Sequence, residues 1–387
     1  MAQDAEKVKR IKDIMVKLDL DVIISRYTEN VLFFTNVWPI TGWGMVVVFK
    51  DKDPILFLPE SEMDFTSRAI IKNIEPYGDT SIAGIDVLLK NLDIKRGARI
   101  GLEITKEGLA SSHLGYEVAF PNKPSFDAIS KIFPDCQIID ATPAIDEMRE
   151  VKSPNDLKQL ALVNEMNYFG LEAAAELLHT DGLTEIEIAT ECEKAIMDAM
   201  KEYRGIDFIR AYAFVMAGPN GIKASRPYNI STAYKCKRGE YVMLELNTQV
   251  NGWWSDLTRT WVCGRNPTDA QKQQEEAVNA AIDAAFKVMR PGMSWRGAYE
   301  ASRRAIVDRK QGEHHTPFLG HGIGVKLHEK VPMMHGSIDA KFTFQAGNYC
   351  SVEPGLYMKD MGALRFERNV AILDGKVEAT DEFPCTL

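Results

Sequence analysis

The stretch Glu245–Thr260, ELNTQVNGWWSDLTRT, decides how the chain is read. Asn251-Gly252 is a strong turn signal, and its flanks, YVMLEL and WWSDLTRTWV, are rich in strand formers. The stretch predicts a β-hairpin. Folded about the Val250–Asn251 midpoint, it sets Glu245 opposite Asp256, eleven positions on, with Cβ atoms ~5 Å apart on one face. Two carboxylates that close repel unless a proton or a cation stands between them. The hairpin therefore reads as half of a metal cage.

Residues downstream supply the other half. His321 lies in Gly320-His321-Gly322-Ile323-Gly324, where glycines on both sides allow backbone and ligand to approach closely. His328 follows seven residues later, next to Glu329. Glu353 sits in Ser351-Val352-Glu353-Pro354-Gly355 and Glu367 in Arg365-Phe366-Glu367. These two acids straddle Asp360, so a hairpin about Lys359–Gly362 puts them on facing positions. Glu245, Asp256, Glu353, Glu367 and His321 make four carboxylates and one imidazole. Such a set suits two hard divalent cations ~3.5–4 Å apart, bridged by carboxylate and water. Oxygen-rich ligation favours Mn²⁺, with Co²⁺, Fe²⁺ or Zn²⁺ as alternatives.

The remaining sequence sets the frame. The 387 residues are enough for two domains with a sizeable core. Hydrophobic residues at 45% and charged residues at 26% are ordinary globular values, and the net charge of −9 argues against a nucleic-acid surface. No apolar run approaches the ~20 residues of a membrane span, and the charged, amphipathic N-terminus lacks a signal-peptide core. Six scattered cysteines form no CxxC pair, which makes a reducing cytoplasm the expected compartment. Residues 1–150 alternate strand and helix patterns, with a helix over 4–18, strands over 21–25, 44–50, 54–59, 99–104 and 136–140, and helices over 84–92 and 108–120. They read as an α/β scaffold or dimerisation domain. The boundary falls at 141–153. Ser153-Pro154-Asn155-Asp156 then opens a helix expected over 154–179, followed by a helix over 184–204, an extended stretch over 208–216, helices over 268–290 and 295–308, and strands to the end.

SDLTRT, GHGIG with its downstream His-Glu, VEPGLY and RFE, in this order, resemble the creatinase/aminopeptidase P/prolidase/methionine aminopeptidase superfamily. The resemblance covers 154–387 strongly, and 1–150 is similar to the creatinase-type N-terminal domain. It implies an α/β (α+β) chain with a pita-bread catalytic domain over 151–387, a dinuclear metal centre and a homodimer. By resemblance Asp256, His321, Glu353 and Glu367 are metal ligands, and Glu245 stands where relatives carry Asp. His328 matches a histidine near the scissile bond, and Arg365 matches the arginine preceding the last ligand and is expected, with Arg226, to bind substrate.

Two departures bear on substrate. The Xaa-Pro peptidases carry a histidine soon after a Gly-Pro-Asn loop, where this chain has Ser225 and Arg226. They carry another four residues before the ligand of GHGIG; here that residue is Pro317, with His314 and His315 just upstream. Arg226 could instead pair bidentately with a substrate carboxylate. The expected activity is metal-dependent hydrolysis of an amide bond in an Xaa-Pro peptide or a small amide, with Glu353 as base and His328 as hydrogen-bond donor. The alternative is a creatinase-like or ectoine-hydrolase-like C–N hydrolase, or a lyase, acting on a small non-peptide substrate.

Overall fold

The computed structural model describes residues 4–78, 82–105, 123–225, 229–329, 334–338, 341–359 and 361–387. The helix expected over 108–120 and Arg226 lie outside the described residues. The chain divides into two compact units, Met1–Arg149 and Glu150–Leu387.

The first unit runs α1 (Ala5–Lys17), β1 (Val22–Ser25), α2 (Thr28–Thr35), β2 (Met45–Phe49), β3 (Ile55–Pro59), β4 (Asn73–Tyr77), α3 (Ile82–Lys90), β5 (Arg99–Leu102), α4 (Lys123–Ile132), β6 (Gln137–Asp140) and α5 (Thr142–Arg149). Its six strands form one mixed sheet in the order β4-β3-β2-β1-β5-β6. The Asp51-Lys52-Asp53 turn joins β2 and β3 antiparallel, whereas β1, β5 and β6 run parallel. Val22, Ile24, Val47, Phe49, Phe57 and Ile100 build its core. Three helices depart from the sequence expectation: α2, α4, over which no element was expected, and α5. Residues 142–149, expected as a boundary segment, are helical, and α2 has no polar face by which to find it, since six of its eight residues are buried. Short helices such as these take most of their stability from packing.

The second unit opens with α6 (Pro154–Leu177) and α7 (Glu185–Ala199). Each begins with a full capping box, Ser153 with Asp156 and Thr184 with Glu187, which satisfies backbone donors reciprocally. Then come β7 (Ile209–Ala217), β8 (Tyr241–Val250), β9 (Trp253–Val262), α8 (Asp269–Val288), α9 (Trp295–Asp308), β10 (Tyr349–Val352), β11 (Gly355–Met358), β12 (Gly362–Arg365), β13 (Arg368–Leu373) and β14 (Lys376–Ala379). Strands β7-β8-β9 form an antiparallel sheet, β10-β13-β14 a second, and β11-β12 a two-stranded ribbon.

The register of β8 and β9 corrects the expected pairing. Asn251 and Gly252 both have positive φ, 53° and 90°, and together make a two-residue turn of the primed type that matches strand twist. Val250 therefore pairs with Trp253, Asn247 with Asp256 and Glu245 with Thr258. Glu245 and Asp256 are diagonal neighbours on one face rather than directly opposed. The downstream acids behave as expected. Val352 pairs with Arg368 and Gly355 with Arg365, so Glu353 and Glu367 face one another in the gap between two ladders. Pro354 has no N–H to continue the ladder there.

Candidate metal centre

The face of β8–β9 that carries Glu245 and Asp256 is buried, and so are His321, Glu353 and Glu367. Long-range backbone hydrogen bonds deliver each of them. The Glu353 N–H donates to the Leu319 carbonyl at 2.7 Å, and the Glu367 N–H to the Thr258 carbonyl at 3.1 Å. His321 is held by its own N–H on Ser351 Oγ (3.1 Å) and by the Ser351 N–H on the His321 carbonyl (2.8 Å). A side chain at Gly320 would collide with the Ser351 carbonyl, which is why glycine precedes the histidine.

The groups then converge. His321 Nε2 lies 3.5 Å from Asp256 Oδ2 and 3.6 Å from Glu353 Oε1. Its Nδ1 meets the Gly322 carbonyl at 3.1 Å; assigning the proton to Nδ1 leaves the Nε2 lone pair facing the acids. Asp256 Oδ1 accepts from Asn247 Nδ2 at 2.7 Å, Glu353 Oε1 from Ser351 Oγ at 3.1 Å, and Glu367 Oε2 from Thr258 Oγ1 at 2.8 Å. Glu245 turns elsewhere: Oε2 pairs with Arg365 Nη2, and Oε1 accepts from Asn229 Nδ2 at 2.6 Å. Arg365, expected to bind substrate, is instead buried among the acids: it also lies 3.6 Å from Glu353 Oε2 and donates to Thr258 Oγ1 and the Tyr357 hydroxyl. The His328 ring sits at the mouth, exposed, with its centroid 4.0 Å from that of His321.

As the side chains stand, no three acid, imidazole or thiol groups among the described residues form a closed cage. Three observations nevertheless fit them to divalent cations. First, Glu367 Oε1 is buried with no hydrogen-bond partner among the described residues, a cost that a cation would remove. Second, the pocket carries more negative charge than Arg365 balances. Burial, set against Arg365 and reinforced by Asp256 and Glu353, pushes Glu245 up to about 7. Burial with Asp256 and Glu353 pushes Glu367 well above the usual carboxylate range. Burial opposes charge on His321, but Asp256 and Glu353 outweigh it and lift the imidazole to about 9. Third, the donors are carboxylate oxygens and one imidazole, which match oxygen-preferring divalent ions.

A model of metallopeptidase family M24 matches residues 158–374, more than half of the chain, and a creatinase/prolidase N-terminal domain model matches 7–151. The chain belongs to metallopeptidase family M24. As a member of M24 it is a metallohydrolase, and the family implies divalent metal ions. Among its M24 relatives, the Xaa-Pro dipeptidase of Pyrococcus horikoshii is 24% identical over 369 residues, spanning 95% of this chain and 94% of that protein. The Xaa-Pro dipeptidase of Lactobacillus helveticus is 26% identical over 341 residues, 84% of this chain and 85% of that one. The solved prolidase of P. horikoshii matches with a TM-score of 0.76 at 23% identity, covering 99% of each chain, so the expected two-part M24 fold is present.

Several neighbours of the acids in this M24 chain escaped the sequence reading. Asn229, Asn247, Thr258, Ser351 and Tyr357 all touch a proposed ligand or Arg365. Their signal was available for the strands. β8 is buried throughout yet holds Asn247, Thr248 and Gln249, and buried polar residues on a strand need partners. Asn229 had no such signal. Trp253 and Trp254 pack in the core, Trp254 stacked on Tyr212. His315 is half-buried. Burial and the Arg303 charge push it down to about 4, so it stands neutral beside Tyr299.

Proposed function

We propose that the protein is a metal-dependent dipeptidase of the Xaa-Pro type, acting on short peptides with proline second. The observation that carries this reading is the meeting of His321, Asp256 and Glu353 within 3.6 Å in a buried acidic pocket, in a chain whose end-to-end relatives include Xaa-Pro dipeptidases. We assign Glu245, Asp256, His321, Glu353 and Glu367 as ligands of two divalent ions, Mn²⁺ first. Bound there, the ions supply Lewis-acid polarisation of the scissile carbonyl and a water activated at neutral pH. Glu353 takes the proton from the attacking water and passes it toward the leaving amine. His328, at the mouth of the pocket, donates a hydrogen bond to the oxyanion or leaving group. Arg365 holds Glu245 and Glu353 in place from within, and Arg226 pairs with the substrate carboxylate.

In this reading residues 151–387 carry the catalysis and 1–150 the pairing of two chains into a dimer. Among the described residues no helix is long and apolar enough to cross a membrane, and a cytoplasmic location agrees with six free cysteines. The test is hydrolysis of Xaa-Pro dipeptides by Mn²⁺-loaded and chelator-treated protein, with creatine- and ectoine-type amides alongside. Turnover of the dipeptides that disappears with chelation is the expected result. Turnover confined to the non-peptide amides would overturn it.

A further inference from the structure

Glu185 lies outside the acidic cluster, in the first turn of α7, where a carboxylate usually serves only the helix dipole. Here it does more. It is fully buried and its two oxygens accept four hydrogen bonds. Oε1 takes the Ala217 N–H at 2.7 Å and Asn220 Nδ2 at 3.0 Å; Oε2 takes the Thr232 N–H at 2.8 Å and the Thr232 hydroxyl at 2.7 Å. Ala217 ends β7, and Thr232 lies beyond the excursion that follows it. One carboxylate therefore pins both ends of that excursion. The backbone repeats the clamp, since the Glu185 N–H donates to the Tyr234 carbonyl and the Ile186 N–H to the Thr232 carbonyl.

Among its described residues, Asn229 carries the pinned segment to the metal face. Ser231 is held on β7 by the Val215 N–H, which fixes the approach. Two residues earlier Asn229, buried, gives its Nδ2 to Glu245 Oε1 at 2.6 Å. The chain of contacts runs from Glu185 to Thr232, along three residues of backbone to Asn229, and on to Glu245. At the start of the excursion, Gly221 packs so closely on β12, the strand of Arg365, that a side chain there would press on the Ala363 backbone.

We propose that Glu185 is a remote positioning residue of this centre: by clamping the 217–232 excursion it seats Asn229 on Glu245 and so sets the affinity for the divalent ion that Glu245 holds. The proposal rests on the assignment of Glu245 as a ligand. Glu185→Gln puts an amide NH₂ where an oxygen now accepts two donors. The clamp opens on one side while size and helix position are kept.

The test is a double-mutant cycle on the full chain, stripped with chelator and titrated with Mn²⁺ by calorimetry. Glu185→Gln and Asn229→Ala are each expected to weaken Mn²⁺ binding by roughly tenfold or more, the usual scale for partners of a metal ligand. The double variant is expected to be no weaker than Asn229→Ala alone, because both act through one hydrogen bond. A merely structural role would lower the melting temperature without this non-additivity. Should Glu185→Gln fail to fold, Thr232→Val, which loses one hydroxyl donor, replaces it in the cycle, with a smaller loss and the same non-additivity. Mn²⁺ affinity unchanged in the Glu185 or Thr232 variant, or losses that add, would overturn the proposal alone. A parent that binds no Mn²⁺ would overturn the assignment of Glu245 together with it.

Discussion

Strands β1–β2 of the first unit and β8–β9 of the second are equally hidden from water, yet they are built from different residues. In β1 and β2, VIIS and MVVVF, burial is matched by apolar side chains at every position but Ser25, as in any sheet covered on both faces. In β8 and β9 the same degree of burial covers Glu245, Asn247, Gln249, Asp256, Thr258, Arg259 and Thr260. Burying a carboxylate costs several kcal/mol unless it is paired. A chain that keeps acids in its most protected strands does so for what they hold. The first sheet is a core; the second is a core whose inner face has been given over to a charged site.

That contrast can be tested by perturbing each region. The largest effect is expected from Asp256→Ala or His321→Ala: Mn²⁺ binding by calorimetry is lost and dipeptide turnover falls by ~10³-fold or more, while the chelated protein still folds and unfolds cooperatively. A loss of folding instead would mean that these side chains support the core as β1–β2 do. Next, Leu56→Ala at a fully buried position of β3 should cost about 2–5 kcal/mol in denaturant unfolding and leave Mn²⁺ affinity unchanged. A shift in metal affinity there would break the separation of roles.

A smaller, pH-dependent effect comes from the charge of the site. A carboxyl held above its unfolded value keeps a proton in the folded chain that the unfolded chain has already released. Glu245, raised to about 7, therefore lends metal-free protein stability that is present below ~4.3 and lost as pH rises through 7. His321, raised to about 9, lends stability that is present below ~6.5 and lost as pH rises through 9. The melting temperature of chelated protein should drop by several degrees between pH 5 and 9, since ~1 kcal/mol corresponds to about 2–4 °C in a unit of this size. Saturating Mn²⁺ should flatten the profile, and an equally steep profile with Mn²⁺ would place the titrating groups elsewhere. The smallest effect is expected from Ser153→Ala, which removes the cap of α6 and should cost ~1 kcal/mol of stability with no change in turnover.

Much of the site was legible because its acids and its histidine lie in segments that are unusual on local grounds. An Asn-Gly turn flanked by strand formers, a histidine between glycines, and two acids placed evenly about a turn are all short-range patterns. The hairpin of Glu353 and Glu367 follows from such a pattern, and the structure agrees with it. Arg226 was also named from sequence, but it lies outside the described residues. Helix α2 was not legible because six of its eight residues are buried and no polar face marks its period, and α5 was hidden because its eight residues fall in the stretch read as the domain boundary.

By itself the sequence determined the two-part organisation, the hairpin and the candidate set of carboxylates and imidazole, because turn chemistry, capping and residue type act over a few positions. The tertiary structure alone decided the strand register that sets Asn247 rather than Glu245 against Asp256, and the pairing of Glu245 with Arg365, 120 positions away. It alone brought Asn229 to Glu245 and Glu185 to Thr232. Register depends on how two backbone dihedral pairs at Asn251 and Gly252 are resolved. Long-range partners depend on which buried polar groups meet once the sheets and helices have packed, and neither is written in local periodicity.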